Sequence, residues 1–256
     1  MKRFFIVFIC LCLLVVVNSC NNIGDGNSEQ NLLNEEYLNI EKIMSISDGK
    51  PEYKFTMKLT EDFKEDGIDE FTGFYGVAEI VVYEIGKTDK LIDTIVIEKV
   101  YPECIWDFNI IDVNFDGHKD IVVVVMTSGN QNMHTYNFFT WNEELSKYEK
   151  APTPEFGFVG IDPVREQMLT SWRIWAGGHG WAIYEYIDGV LTMTHECSSE
   201  EIYSDEDESY STFFNEKQLI NGEMQTIFDD YVTDEELDEH LLYDEMTFGV
   251  WAVIIG

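Results

Sequence analysis

Apolar and polar positions alternate along most of the chain beyond residue 50. Residues 53–59 show this clearly, because every second position is Tyr, Phe, Met or Leu and polar residues stand between them. Side chains of a strand point alternately to its two faces, so the alternation predicts a β-strand with one buried face. Residues 121–125 instead form an unbroken run of Ile and Val, which predicts a buried strand.

Turn-forming sequences separate the apolar segments. Asp188-Gly189 and Asn221-Gly222 each stand between two such segments, and a polar stretch at residues 86–90 separates two more. Short connections of this kind favour hairpins. Because strands and helices do not alternate, the pattern predicts a mainly β protein, an antiparallel β-sandwich or partly closed barrel with a short C-terminal helix. The chain has no visible internal repeat, which argues against a propeller.

Four segments depart from the strand pattern. Residues 37–50 predict a short helix or a loop, and the charged residues 60–69 and the acidic residues 196–208 predict loops. Residues 233–243 predict the C-terminal helix. Thr233 and Glu236 there have the spacing of a capping box, in which each side chain accepts a hydrogen bond from the backbone of the other.

The N-terminus has the features of a targeting segment. Lys2 and Arg3 precede an apolar run at residues 4–17, and small residues lead to Cys20. This pattern resembles the lipobox of bacterial lipoproteins and predicts a signal peptide at residues 1–19, lipidation of Cys20 and a flexible tether at residues 20–36. The mature protein would then be lipid-anchored in the extracytoplasmic cell envelope. An ordinary signal peptide or an uncleaved anchor are the alternatives.

The composition is strongly acidic. The chain has 49 Asp and Glu against 16 Lys and Arg, for a net charge of −33; removal of Lys2 and Arg3 with the signal peptide makes it −35. Such a surface repels nucleic acid and anionic membranes and favours cations or a basic protein partner. Solubility alone is the other interpretation. Aromatic and aliphatic residues are too abundant for a disordered acidic chain.

The sequence has no motif of a known catalytic class. It contains no G-x-S-x-G, H-E-x-x-H or Walker pattern, so we expect a binding protein and not an enzyme. Outside the signal peptide and Cys20, the cysteines are Cys104 and Cys197. They predict either a disulfide or two buried thiols.

Residues 112–120 have the spacing of a calcium loop. Oxygen-bearing side chains stand at positions one, three, five and nine, and Gly117 stands at position six, where the backbone must turn sharply. The predicted ligands are Asp112, Asn114, Asp116, Asp120 and the backbone carbonyl of His118. An EF-hand is excluded, because its twelfth position requires Glu and is Val123 here. The alternative is an Asx-rich turn without metal.

A glycine-rich segment at residues 176–180 predicts a loop between two tryptophan-bearing strands. Its predicted role is to insert into a partner protein through Gly177, Gly178, His179, Gly180 and Trp181. An exposed hairpin tip without a partner is the alternative. Trp172 and Trp175 are three positions apart, so strict alternation predicts that they lie on opposite faces of their strand.

The calcium loop followed by a strand resembles the loops of FG-GAP and VCBS-type repeats. Together with residues 108–111, residues 136–141 and the 171–191 hairpin, it resembles a bacterial envelope family with one calcium-binding β domain, related in fold to periplasmic inhibitors of I-type lysozymes. The resemblance covers residues 53–196 and implies a sandwich-like domain, one structural Ca²⁺ and inhibition of a lysozyme-like peptidoglycan hydrolase. We place the boundaries of this calcium-binding β domain at residues 37–199. Residues 200–256 lie outside it and predict an acidic C-terminal extension. The competing functions are a carbohydrate-binding or carbohydrate-degrading surface protein and a purely structural envelope domain.

Overall fold

The computed structural model describes residues 39–65, 74–100, 108–128, 133–154, 157–204, 209–233, 236 and 253–255. The chain divides into two compact units, Met1–Glu36 and Tyr37–Gly256, and all described residues belong to the second. The predicted signal peptide, Cys20 and the tether up to residue 36 therefore lie outside the described residues, as does Cys104. Among the described residues, no helix is long and apolar enough to cross a bilayer.

The described residues form three open antiparallel sheets. The first sheet is a meander of four strands: β1 (Asn39–Ser45), β2 (Glu52–Glu65), β3 (Phe74–Glu84) and β4 (Lys90–Val100). The second is another four-stranded meander: β5 (Asn109–Ile111), β6 (Asp120–Ser128), β7 (Met133–Asn142) and β8 (Lys147–Ala151). Hydrogen-bonded neighbours are consecutive in sequence in both sheets, as expected where short turns join the strands.

The third sheet has seven strands in the order β14-β13-β12-β11-β10-β9-β15. They are β9 (Phe158–Asp162), β10 (Gln167–Trp175), β11 (Gly178–Ile187), β12 (Val190–Ser204), β13 (Ser209–Ile220), β14 (Glu223–Val232) and β15 (Val253–Ile255). Only β15 departs from chain order, because it returns to pair with β9. The predicted hairpin turns are confirmed: Asp188-Gly189 and Asn221-Gly222 connect adjacent strands, and all four residues have positive φ.

Buried apolar residues show which sheets pack together. One core cluster joins Phe55, Ile80 and Ile97 of the first sheet to Ile121 and Trp141 of the second. A second cluster joins the other face of the second sheet to the third sheet. It includes Val122, Phe138, Val159, Ile161 and Met168. The second sheet is thus covered on both faces. This explains why β6 is an unbroken apolar run instead of an alternating one.

The mainly β, antiparallel prediction is confirmed, and no sheet closes into a barrel within the described residues. Three local predictions are wrong. Residues 39–45 form β1 and not a helix or loop, β2 continues to Glu65, and β12 continues to Ser204 through the segment predicted as an acidic loop. Charged residues are intrinsically unfavourable in strands, but pairing with a neighbouring strand overrides that preference.

The C-terminal region continues the third sheet. The predicted boundary after residue 199 falls inside β12, and β13 and β14 extend the same sheet through residue 232. The predicted capping box is present: the Thr233 amide donates to Glu236 Oε2 at 2.8 Å, and the Glu236 amide donates to Thr233 Oγ1 at 3.2 Å. The body of the predicted helix lies outside the described residues.

Candidate metal centre

The predicted calcium loop lies between β5 and β6 and is held by its own acidic side chains. Asp112 accepts hydrogen bonds from two loop amides, Asp116 N at 3.2 Å and Gly117 N at 2.9 Å. Asp116 accepts one from His118 N at 2.8 Å and another from Asn114 Nδ2 at 2.8 Å. Positions one, three and five of the motif therefore lie around one tight turn, as a calcium loop requires.

Two residues of the loop have left-handed backbone conformations. Gly117 has φ 86° and Phe115 has φ 61°. Glycine adopts this conformation freely, but a bulky residue rarely does. Phe115 keeps it while its side chain packs against the second core cluster. The loop thus stores strain at Phe115, and burial of the phenyl ring offsets it.

Asp120 ends the loop and is completely buried. Its two carboxylate oxygens accept hydrogen bonds from Val113 N and Trp141 N, each at 2.9 Å. Burial, with smaller contributions from the negative charges of Asp116 and Asp112, raises the pKa of Asp120 to about 7, although the two amide hydrogen bonds lower it. Burial likewise raises the pKa of Asp112, and the charge of Asp116 adds to the shift.

The loop is also attached to neighbouring strands. Lys119 N donates to the Ile46 carbonyl at 2.7 Å, and the Tyr148 hydroxyl donates to the Lys119 carbonyl at 3.1 Å. The His118 ring lies 3.6 Å from Glu143 Oε2, and Glu143 in turn accepts a hydrogen bond from Lys50 at 2.7 Å. These contacts fix the loop against the first sheet and the β7–β8 turn.

Tyr186 is a neighbour of the loop that the sequence pattern did not identify. Its hydroxyl is buried and has no hydrogen-bond partner among the described residues, and the same holds for Nδ1 of His118. Burial raises the pKa of Tyr186 to about 12, and the charges of Asp120, Asp116 and Asp112 add to the shift. No spacing rule connects a residue of β11 with a loop between β5 and β6, so only the fold could bring them together.

The residue types fit a calcium ion, although the carboxylates alone do not form a closed cluster. Within the described residues, no three His, Cys, Asp or Glu side chains converge in the manner of a metal site. Calcium accepts amide and backbone carbonyl oxygens as well as carboxylates, which brings in Asn114 and His118. The unpartnered hydroxyl of Tyr186 is a further oxygen beside the loop.

The predicted partner loop is mostly strand. β11 begins at Gly178, so Gly178, His179, Gly180 and Trp181 are strand residues, and the turn consists of Ala176 and Gly177. His179 is exposed, and its ring lies 5.9 Å from that of Trp181, which is only 7% exposed. The prediction of a loop over residues 176–180 is therefore wrong, because the glycines are used inside the strand.

Gly178 and Gly180 are required for the packing of two indole rings. A Cβ at Gly180 would lie 2.3 Å from Trp172 Cε2, and a Cβ at Gly178 would lie 2.5 Å from Trp175 Nε1. The register shifts between Arg173 and Trp175, so the strand contains a β-bulge. Trp172 and Trp175 consequently lie on the same face, and the prediction of opposite faces is wrong.

Cys197 is a buried free thiol in the core of the third sheet. Burial raises its pKa, so the unreactive thiol form is favoured. It packs with Leu169, Trp181 and Phe214 in a third apolar cluster. Its role here is packing.

The sequence matches no protein-family model and no curated protein. Among solved structures, the chain is similar to a Xanthomonas protein described as related to a type IV secretion system. The identity is 14%, the match covers 73% of this chain and 93% of that one, and the TM-score is 0.42. It is also similar to a protein of unknown function from Bacteroides fragilis, with 7% identity, coverage of 68% and 94%, and a TM-score of 0.23.

Proposed function

We propose that the chain is a lipid-anchored, extracytoplasmic binding protein whose β domain is stabilised by one Ca²⁺ and captures a protein partner. The observation that carries the calcium assignment is the turn at Asp112, whose carboxylate accepts the amides of Asp116 and Gly117 at the fifth and sixth positions. The partner class follows from the net charge of −33, which favours a basic protein. A lysozyme-like peptidoglycan hydrolase is the partner that the family resemblance implies.

The side-chain oxygens of Asp112, Asn114 and Asp116 and the backbone carbonyl of His118 would hold the ion. Asp120 would contribute through lone pairs that its two amide donors leave unused, since a carboxylate has about four acceptor positions. When bound, the cation supplies positive charge that offsets repulsion among the carboxylates. The loop residues themselves orient the entry into β6 through Asp120, and that role is structural.

A thermal and chemical denaturation series tests the calcium assignment. The full chain in detergent is compared in chelator and in calcium at about 100 times the Kd, where a ligand specific for the folded state stabilises it by about 2.7 kcal/mol. Asp116→Ala should remove the difference between the two conditions, whereas Asp89→Ala, in the surface turn between β3 and β4, should retain it. Equal stability of the wild type in both conditions would reduce residues 112–120 to an Asx-rich turn.

Inhibition assays test the partner. The full chain is titrated into lysozymes of different types, with and without calcium, and His179→Ala and Gly178→Trp probe the β10–β11 hairpin. We expect inhibition of at least one basic hydrolase that weakens in chelator. Inhibition unchanged by both substitutions would leave the partner class intact but remove the hairpin from the interface.

Carbohydrate binding is the second candidate. It is favoured by one observation, the placement of Trp172 and Trp175 on the same face of the third sheet. Aromatic side chains on one face supply an apolar surface with polar edges.

A further inference from the structure

Strand register places two rows of side chains on one face of the third sheet. Directly paired residues of neighbouring antiparallel strands share a face, so each row crosses the sheet from β10 to β14. The first row is Trp172, Gly180, Ser198, Asn215 and Asp229. The second row is Trp175, Gly178, Glu200, Phe213 and Tyr231. We call these two rows the aromatic face.

The aromatic face carries large apolar side chains that solvent reaches. Trp175 is 44% exposed and Tyr231 is 56% exposed, and Ile202, two residues beyond Glu200 on the same face, is 38% exposed. Phe213 and Tyr231 form an edge-to-face pair with ring centroids 5.4 Å apart. Five strands spaced by about 4.8 Å make the rows about 19 Å wide. Exposed apolar side chains grouped on one face in this way are typical of an interaction site.

Two carboxylates lie among these rings. Glu200 lies between Trp175 and Phe213 in the second row, and the Trp175 indole donates to it at 3.4 Å. Asp229 ends the first row and accepts a hydrogen bond from Asn215 at 2.8 Å. The described salt bridges in this part of the sheet include Lys217–Glu196 at 2.8 Å but none to Glu200 or Asp229. Within the described part of the chain, both carboxylates therefore lie among exposed aromatic side chains without a cationic partner.

We propose that the aromatic face binds a basic segment of a partner protein. Arg or Lys side chains would lie over the indole and phenol rings and contact Glu200 and Asp229. This inference rests on the proposed protein-binding function and names its surface. Aromatic faces attract cations, and nearby carboxylates add a direct charge contact. The overall negative charge steers such a partner toward the chain and opposes anionic ligands.

The chain offers charge-matched controls away from the aromatic face. Asp230 follows Asp229 in sequence and points to the opposite face of the sheet, because side chains alternate along a strand. Asp89 lies in the surface turn between β3 and β4. Tyr203 is 48% exposed and also belongs to the face opposite the aromatic face. Any effect of net charge alone is therefore equal in Glu200→Gln/Asp229→Asn and Asp89→Asn/Asp230→Asn.

The test measures binding of the full chain in detergent to three probes by titration calorimetry. The probes are a basic lysozyme, an alternating Arg-Gly peptide, and a neutral N-acetylglucosamine oligomer.

Trp175→Ala/Tyr231→Ala should weaken binding of both basic probes by at least about tenfold, since aromatic anchors buried in an interface dominate its binding energy. Glu200→Gln/Asp229→Asn should weaken it by about fivefold at low salt and less at high salt. Asp89→Asn/Asp230→Asn and Tyr203→Ala should stay within about twofold of the wild type, the range expected outside the central anchors. Thermal melts establish that each variant is folded.

The outcomes distinguish a wrong assignment of the aromatic face from a wrong assignment of the protein-binding function. Basic probes that bind the wild type and the aromatic variant equally would overturn the aromatic face while leaving the protein-binding function intact. Failure of the wild type to bind either basic probe would overturn both. Binding of the glycan alone, lost in Trp175→Ala/Tyr231→Ala and unchanged in Glu200→Gln/Asp229→Asn, would replace the basic partner with a carbohydrate.

Discussion

Strand β11 has Tyr186 near one end and Gly178 at the other, and the two ends are organised by different interactions. Tyr186 lies beside a strained loop whose carboxylates repel one another and rely on backbone amides. Gly178 and Gly180 support indole rings by close contact alone. At about 3.3 Å per residue, the eight residue steps from Gly178 to Tyr186 separate the two sites by about 26 Å. We expect the stability of the loop end to depend on pH and cations, and that of the glycine end to depend on close packing.

Substitution of Gly157 should give the largest loss of stability where the backbone packs closely against β10. Gly157 has φ 95°, and a Cβ there would lie 2.0 Å from the Ser171 carbonyl oxygen of β10. Because backbone atoms cannot move aside cheaply, Gly157→Ala should lower the free energy of unfolding by more than about 3 kcal/mol. Denaturant titration measures the loss, which should be the same in calcium and in chelator.

Gly222→Ala is the matched control for Gly157→Ala. Gly222 has φ 84°, but a Cβ there would meet nothing within 4 Å. Its substitution should cost only the conformational strain, about 1 kcal/mol. Equal losses at the two positions would show that strain, and not the contact with Ser171, determines the effect.

Substitution of Asp120 tests how the loop makes the free energy of unfolding depend on pH. The pKa of Asp120 rises from 3.8 to about 7 on folding, so the folded state binds more protons than the unfolded state between these values. In chelator, this group should therefore reduce stability as pH rises from about 4 to about 7, by a few kcal/mol at about 1.4 kcal/mol per pKa unit. Asp120→Asn should remove that slope in denaturation measured across the same range.

Asp162→Asn controls for the loss of a carboxylate acceptor. Asp162 also accepts two backbone amides, those of Val164 and Arg165, but in a turn whose following residues are exposed. It should retain the wild-type slope. A wild-type slope in Asp120→Asn as well would mean that other carboxylates account for the pH dependence. Calcium should flatten the slope of the wild type, because a nearby cation favours the ionised carboxylates.

The sequence predicted the parts of this structure that depend on local chemistry. The Asp188-Gly189 and Asn221-Gly222 turns and the Thr233–Glu236 capping box need only neighbouring residues, and all are present. The unbroken apolar run of β6 indicated a buried strand for the same reason. Its burial by two other sheets is a property of the whole fold.

The failed predictions depend on contacts between distant segments. The bulge between Arg173 and Trp175 appears only when β10 pairs with β11, where Arg173 also donates to the carbonyls of Trp175 and Ala176. It moves Trp175 to the face of Trp172, which alternation cannot anticipate. Tyr186 lies beside the loop at residues 112–120 only because the third sheet packs on the second. The charged end of β12 is a strand because β13 pairs with it.

Substitutions of Phe115 test whether the loop backbone is strained, with a smaller expected change in the free energy of unfolding. The left-handed backbone of Phe115 favours glycine, while its ring contributes to the second core cluster. Both Phe115→Ala and Phe115→Gly lose the ring, but only glycine relieves the strain. Phe115→Gly should therefore be more stable than Phe115→Ala by about 1 kcal/mol, the reverse of their order in an ordinary strand. Denaturant titration of the pair in chelator measures the difference, and the usual order would show that the loop holds no strain at Phe115.

Glu143 should give the smallest effect at the loop end. The carboxylate joins Lys50 and His118, and hydrogen bonding and charge from Lys50 lower the pKa of Glu143. All the same, 59% of its side-chain surface is exposed, so water and salt screen both contacts, and immobilising long side chains costs entropy. Glu143→Gln should leave the denaturation midpoint and its calcium dependence unchanged within error at physiological salt. A clear loss of calcium dependence would instead mean that the position of His118, and through it the loop, depends on this surface link. The pH-sensitive end would then extend beyond the buried carboxylates to the β7–β8 turn.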